Sequence, residues 1–491
     1  MQVSDFVETA HELLSPQEVC LDSEKKAPQR ILSAFWVAQL LACATLPFLI
    51  TLNAPLLHDS YAHVTAAASE RFGDVLTFFR RPSGSDLFFR PLGYISYWVD
   101  FKWAGYEPAR WHISNLALHA ANTFLVYILT RCLSLPRFPA MITASIFAIH
   151  GSRPEVVSWT AARFDLLATF FVLLTLIGLN RHLATRRPRW HVAMICCGVL
   201  ALLSKESAYC LPFLAIGMLP FKRRCDRKEL IRNAILLLGI CSIVFAYRCW
   251  ILHGIGGYRD MAGAPAVLEF NTIHTLKGLL FRQWAFLFFP INWSADLSLW
   301  LKIGVVLMLL VMLGVLFSSK PDVKLVSAAV LILLLSDLPV QHLLSMTADL
   351  AGARVLYLPV LGIALLWAIL LEGCKPGLTR AALASGLLLF QLTALCHNLL
   401  IWRDVAFLSQ KTCADIGAEL RRDHRAIVVA GLPATWRGVF FLQNGFPQCV
   451  AANSDQNTDR LYVYDRARPG PTNARFFEWS SRTARLEEVS R

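Results

Sequence analysis

Charge is scarce in this sequence. Only 16% of its 491 residues are charged, against 56% hydrophobic, and the mean hydropathy is +0.49. A soluble chain of this length needs far more surface charge, so the expected class is a polytopic membrane protein. Acidic residues are the rarer sign, leaving a net charge of +13 and a pI near 9.3. In a membrane chain that excess belongs to basic loops that fix topology, so nucleic-acid binding is not implied. The first 30 residues lack the apolar core of a cleavable signal peptide and carry Glu8, Glu18, Asp22 and Glu24 instead. The first apolar run is therefore expected to stay as an anchor. No CxxC pair occurs among the 13 cysteines, and Cys43, Cys132, Cys196, Cys197 and Cys241 sit inside apolar runs. That argues against a metal or redox framework. No internal repeat of the kind found in transporters is present either.

What the chain has is long apolar runs. About 20 such residues cross a bilayer, which predicts spans near 31–55, 112–134, 138–150, 164–180, 190–204, 207–221, 230–251, 300–317, 324–342, 355–371 and 381–401. This is an all-α membrane domain of about eleven helices over 31–402, after a cytoplasmic segment 1–30. Lys and Arg collect in alternate loops: Lys25 to Arg30, Arg131 and Arg137, Arg181 to Arg189, Lys222 to Arg232, Lys320 and Lys324, Lys375 and Arg380. All of these fall on the side of the N-terminus, which is read as inside. As one helix, Trp190 to Phe221 would put two basic clusters on opposite sides. Two short helices with a turn at Ser204-Lys205-Glu206-Ser207 keep both inside. Arms of about 15 residues reach only about 22 Å, so the turn lies below the outer surface, where polar backbone must line a wet cavity or be buried in protein. The third span also stops early, at His150. Together they predict a cavity open to the outer side.

The loop 58–110 is long; Ser60 to Phe79 has the mixed spacing of a helix lying on the membrane, and Phe88 to Trp103 is dense in interfacial aromatics. Leu276 to Pro290 is expected to be interfacial or re-entrant, since a crossing there would reverse every later loop. After Trp402 the apolar spans end. Residues 403–491 read as a small outer α/β domain, with strands at Ala426 to Leu432 and Leu461 to Tyr464, a loop at Pro433 and Gly438, and a turn at Asn444-Gly445. Cys413 and Cys449 lie on the oxidising side, and both pairing and two free thiols remain open.

The candidate chemistry starts at Asp59, where the first run gives way to a polar loop. An acid beside a membrane span is costly to desolvate and is expected to face a partner, water or a substrate. Glu155 to Asp165 puts Glu155, Arg163 and Asp165 at the outer mouth of the third and fourth spans. Helical spacing lets Arg163 point inward, oriented by Glu155 or Asp165, while Leu166 and Leu167 meet lipid. Such a cation suits a phosphate, with a structural ion pair as the alternative. Lys205 and Glu206 carry the same two readings, and Arg354, shortly before Tyr357, could anchor the chain or hold a phosphate. His112, Asn115 and His119 share helical spacing; a metal would need a third ligand, so hydrogen-bonded core histidines are favoured.

These residues carry a resemblance. His58-Asp59, Arg90-Pro91-Leu92, Trp111 to Leu116 with His119, His150 with Glu155 to Ala168, Leu203 to Ser207 and Arg354 to Pro359 occur in that order. The series resembles the GT-C superfamily of integral membrane glycosyltransferases, in the branch of protein O-mannosyltransferases and the transmembrane and tetratricopeptide repeat mannosyltransferases. The resemblance spans Ile31 to Trp402 and implies a sugar donor carried on polyprenyl phosphate. It further implies that Asp59 is the general base of an inverting transfer, and that Arg163, Arg354 and Lys205 meet the leaving phosphate, with Glu155, Asp165, Glu206, His112 and Tyr357 around them. Ser60 stands where many relatives have a second acid, so a divalent metal stays open. Arg153 stands before Pro154 where the family often has His. The tail has no tetratricopeptide repeats, so a glycan, glycolipid or protein acceptor is possible. A bacterial inner membrane with periplasmic chemistry is the expected setting. The rival readings are a flippase or transporter of lipid-linked sugars and an assembly factor.

Overall fold

The computed structural model describes residues 26–83, 87–257, 283–337, 349–454, 456–464 and 473–489, with single positions 277, 281, 339 and 471. The chain is an integral membrane protein, mostly helical, with a small sheet near its C-terminus. Among the described residues six helices are long and apolar enough to cross a membrane, and four shorter apolar helices accompany them. Each of the eleven expected spans holds a helix. Much of the segment 1–30 lies outside the described residues, as does most of 276–282; of Leu276 to Pro290, Gln283–Phe288 is a helix of 6 residues, too short to cross.

Helix ends follow local chemistry. Proline opens Pro91–Ala104, Pro108–Cys132 and Pro188–Leu202, where its missing N–H is one that no helix would bond. The helix Arg137–Ile149 is apolar all round and every residue from Pro139 onward is buried, which makes it central. Val360–Glu372 lies beside it, equally enclosed. Gly362 allows the close approach of Val323–Asp337, because a Cβ there would meet Leu333 at 2.5 Å. Arg224–Leu252 and Leu299–Ser318 instead expose Ile243 and Phe317, the composition of helices that face lipid.

The expected hairpin of two short helices is present. Pro188–Leu202 ends before Lys205, and Glu206–Cys210 leads into Leu211–Gly217. The basic clusters on either side of it meet at one end, where Arg186 Nη2 lies 3.0 Å from Asp226 Oδ1. Lys222 donates to the Cys132 carbonyl, and the Arg380 guanidinium lies 4.6 Å from the Phe138 ring, so four basic loops share that end. The long loop forms the helix Asp59–Ser69 and a 3-10 segment Phe72–Phe79, on which Phe72 is 80% and Leu76 74% exposed.

The last helix, Leu378–Arg422, runs through Trp402, so the expected domain boundary falls inside a continuous helix. Beyond it come β1 (Ile427–Ala430), β2 (Thr435–Trp436), β3 (Val439–Phe440), helix Phe446–Ser454, β4 (Leu461–Val463), β5 (Arg475–Ser480) and β6 (Arg485–Val489). The sheet order is β4-β1-β5-β6, with β1 parallel to both neighbours and β5-β6 antiparallel. Ile427, Val428 and Val429 are all buried, as a parallel central strand covered on both faces requires. Cys413 and Cys449 form a disulfide that ties Phe446–Ser454 to the long helix.

Candidate functional site

The cavity where the helix Asp59–Ser69 begins has a volume of about 810 Å³, within the range of small-ligand sites. Asp59 and His63 come from that helix; Arg81, Arg90 and Tyr94 from the rest of the long loop. Trp159 comes from the turn between the third and fourth spans, Phe164 and Asp165 from the first turn of the helix Arg163–Thr185, and Lys205, Arg354 and Asn444 complete the wall. The short hairpin thus delivers Lys205 to the cavity that its length predicts.

Asp59 occupies the first turn of its helix, where the dipole favours an anion. Before it, His58 has a φ of +48°, a left-handed conformation that costs about 1–3 kcal/mol for a side-chain-bearing residue. The turn brings His58 Nδ1 to 3.1 Å from Asp59 Oδ1. Burial pushes the Asp59 carboxyl up, but His58, His63 and Asn444 beside it outweigh burial and hold the carboxyl below its ordinary value. His63 stacks on Tyr97 at 5.0 Å; burial pushes its imidazole down to about 4, so the ring is neutral at pH 7.

Three cations of the wall are each held by a carboxylate. Lys205 Nζ lies 2.6 Å from both oxygens of Asp165. Arg90 donates to Glu206 Oε2 through Nε at 2.9 Å and Nη2 at 2.6 Å, and Arg248 lies 3.3 Å from Oε1 of the same glutamate. Arg354 donates to Glu155 Oε1 at 2.5 Å, with its guanidinium 5.3 Å from the Trp159 ring. Glu155 and Glu206 stand behind the wall, so their role is to fix the arginines. Cations held in place before a ligand arrives stabilise developing negative charge without reorganising.

Other expected site residues are placed elsewhere. Arg163 is 1% exposed and pairs with Asp100, and its Nε donates to Asn115 Oδ1 at 2.9 Å. Neither Glu155 nor Asp165 orients it, because Arg354 and Lys205 take them. Leu166 does not meet lipid but is fully buried, since the helix Arg163–Thr185 packs against Pro108–Cys132 and Pro188–Leu202. Of the two readings for Arg163, the structural ion pair is the one formed. His112 contacts the Ala54 carbonyl at 3.0 Å, and the Tyr357 hydroxyl contacts His119 Nδ1 at 2.8 Å and Asn122 Nδ2 at 3.3 Å. Both belong to a closed polar seam, and both histidines are hydrogen-bonded core residues. Arg153 joins the seam, donating to the Phe147 and Tyr357 carbonyls at 2.7 and 3.1 Å.

Sequence reasoning gave His63, Arg81, Tyr94 and Asn444 no role, and it met Arg90 only inside a motif. Arg90 did carry a signal, since it precedes a helix-opening Pro91. Asn444 showed itself only as a turn residue. Among the described residues no group of three or more His, Cys, Asp or Glu could hold a metal ion. Ser60, beside Asp59, accepts the Ala161 N–H at 3.3 Å.

No protein-family model matches the chain. Among curated proteins it is similar to the protein O-mannosyl-transferase Tmtc1 of Drosophila melanogaster, 29% identical over 184 residues, 35% of this chain and 21% of that one. It is also similar to the protein O-mannosyl-transferase F38B6.6 of Caenorhabditis elegans, 26% identical over 326 residues, covering 59% and 43% of the two chains. The matches therefore span less than half the length of these relatives. Among solved structures, ArnT from Cupriavidus metallidurans bound to undecaprenyl phosphate aligns with a TM-score of 0.44 at 14% identity, covering 92% of this chain and 94% of that one. The Archaeoglobus fulgidus oligosaccharyltransferase tethered to an acceptor peptide aligns at 0.43 and 13%, covering 90% and 64%. The protein O-mannosyltransferase branch that the motif series resembles is the one that the curated relatives' names carry.

Proposed function

We propose that this chain is a glycosyltransferase that moves a hexosyl group from a polyprenyl-phosphate donor to an acceptor hydroxyl with inversion. The observation that carries the reading is one cavity joining a half-exposed carboxylate, Asp59, to three fixed cations, Arg90, Lys205 and Arg354. Asp59 takes the proton of the acceptor hydroxyl as its oxygen bonds to the anomeric carbon. The bond from that carbon to the phosphate oxygen breaks, and its electron pair leaves with the polyprenyl phosphate. The departing group gains negative charge, which the cations meet. A carboxyl held below its ordinary value stays ionised and ready for this role at neutral pH.

The names of the matched relatives support the transfer of mannose to a protein hydroxyl as the first combination to try. The exposed Phe72 and Leu76 support a mouth at the membrane surface, suited to a lipid-borne donor. The setting we assign is the periplasmic face of a bacterial inner membrane, with the N-terminus cytoplasmic. Its support is the gathering of the basic loops at one end, in keeping with the positive-inside rule.

The test uses full-length protein in liposomes, offered a panel of radiolabelled polyprenyl-phosphate sugars and glycan, glycolipid and peptide acceptors. Label moving from one donor to one acceptor, with free polyprenyl phosphate released, is the expected result. Movement of intact labelled donor between leaflets without transfer would overturn the reading in favour of a flippase.

A further inference from the structure

We infer that the loop joining β3 to the helix Phe446–Ser454 is a working part of the site, with Asn444 positioning the Asp59 carboxylate. The inference rests on the reading of Asp59 as the base. It gives the C-terminal domain a direct part in the reaction, where the sequence motifs all lie in the membrane domain.

Contacts between this loop and the cavity form a continuous patch. Asn444 lines the cavity together with Asp59, and its side chain helps to hold that carboxyl below its ordinary value. Gly445, with a φ of +77°, passes so close to the residue before Asp59 that a Cβ would lie 2.5 Å from the His58 carbonyl oxygen. Asn453 donates to the Tyr61 hydroxyl at 3.3 Å, which seats the helix Phe446–Ser454 on the helix that Asp59 begins. On the other flank, Phe440 stacks on Trp159 at 5.0 Å and lies 5.6 Å from His58, with the Arg354 guanidinium 5.0 Å from its ring. The Cys413–Cys449 disulfide fixes the same helix to the long helix Leu378–Arg422.

This arrangement solves a positional problem. A carboxylate at the start of a helix on a polar loop has rotamer freedom, and a base displaced by an ångström loses much of its effect. His58 contacts one oxygen, and the Asn444 amide, in the same cavity wall, is the group from the C-terminal segment placed to steady the carboxylate. An amide cannot take the acceptor's proton, so Asn444 acts through Asp59. The charged and titratable groups facing Asp59 are His58 and His63 from its own segment, Arg90, Tyr94 and Tyr97, the Asp165–Lys205 pair, Arg354 and, farther along the cavity, the Glu70–Arg81 pair. A change at Asn444 leaves all of them in place.

The experiment compares wild type, Asn444→Ala and Asn444→Asp as full-length protein. The first readout is the pH dependence of Asp59 modification by a water-soluble carbodiimide, followed by peptide mass, which needs no substrate. Losing the amide makes the carboxylate harder to ionise, so the midpoint is expected to rise by about half a unit in Asn444→Ala. It should rise by about 1–2 units in Asn444→Asp, where a second carboxylate opposes ionisation. The second readout is sugar transfer: kcat falls about tenfold in Asn444→Ala with donor KM unchanged, and the acidic limb of kcat/KM moves up with the midpoint. Identical midpoints in the three proteins would overturn the positioning role, whatever the activity. Shifted midpoints with no transfer by wild type would uphold it and overturn the proposed reaction alone.

Discussion

The cavity and the polar seam beside it are made of the same residue types and do opposite things. In the cavity, Lys205, Arg90 and Arg354 are each tied to one carboxylate and border open space. In the seam, Arg163, Arg153, His112 and His119 are enclosed, and carbonyls, an amide, Asp100 and aromatic rings occupy their surroundings. Residue type therefore does not separate a group that borders the cavity from an enclosed one in this molecule. Access to the cavity does, and the sharpest tests change one member of each region.

The largest effect is expected at Asp59. Asp59→Asn removes the proton acceptor while keeping its shape, and a lost general base costs roughly 10²- to 10⁴-fold in rate. Its side chain is 35% exposed, so little buried interaction is lost and the melting temperature in detergent should hold. Equal transfer rates for wild type and variant at matched protein levels would remove Asp59 from the mechanism.

Arg163→Met should invert that pattern. It leaves Asp100 without its buried partner, and breaking such a pair costs about 3–5 kcal/mol. Thermal unfolding should show the loss, while the rate per folded molecule stays near wild type. A fall in kcat with full stability would instead move Arg163 into the reacting site. Next in size is Arg354→Lys, which keeps the charge and loses the planar fork that grips Glu155 Oε1 from beside Trp159. About a tenfold loss in kcat/KM is expected, measured against varied donor, with stability little changed. If the loss instead tracks the fraction unfolded, Arg354 belongs with the seam.

Much of this architecture was legible in the sequence because it depends on local or one-dimensional signals. Span length against basic-loop alternation predicted the hairpin that brings Lys205 to the cavity, whereas the chain just beyond the early stop at His150 is buried and does not line that cavity. Asp59 stood out as an acid at a span end. Partner choice was not legible. Asp100 lies 63 positions before Arg163 and sits in a stretch whose aromatics suggested only an interface. Glu155 turns to Arg354, 199 positions away, although Arg163 is nearer along the chain. The helix Arg163–Thr185 also buries faces that spacing alone would give to lipid, because a helix surrounded by other helices has no single apolar side. Asn444 is beyond such reasoning altogether: a turn signal describes backbone and says nothing of which carboxylate the side chain meets.

The smallest expected effect is in the pH profile, and it separates the two histidines nearest Asp59. Asp59 must be ionised to act, and its carboxyl lies below the ordinary aspartate value although burial alone would raise it. In the proposed reaction the acidic limb of kcat/KM should therefore lie below the ordinary aspartate range, with activity retained as pH drops through the range where an ordinary carboxylate begins to protonate. His63, at about 4, is already neutral above pH 5, so its charge does not change near 6.5. Between pH 5 and 8 the profile should be flat as far as His63 is concerned. An inflection near pH 6.5 that persists in a His58→Gln variant would mean that His63 titrates as a solvated imidazole. The stacked cage of Tyr97, Tyr94 and Phe164 would then be open to water when the protein works, and the contrast drawn here between open cavity and sealed seam would have to be redrawn through His63.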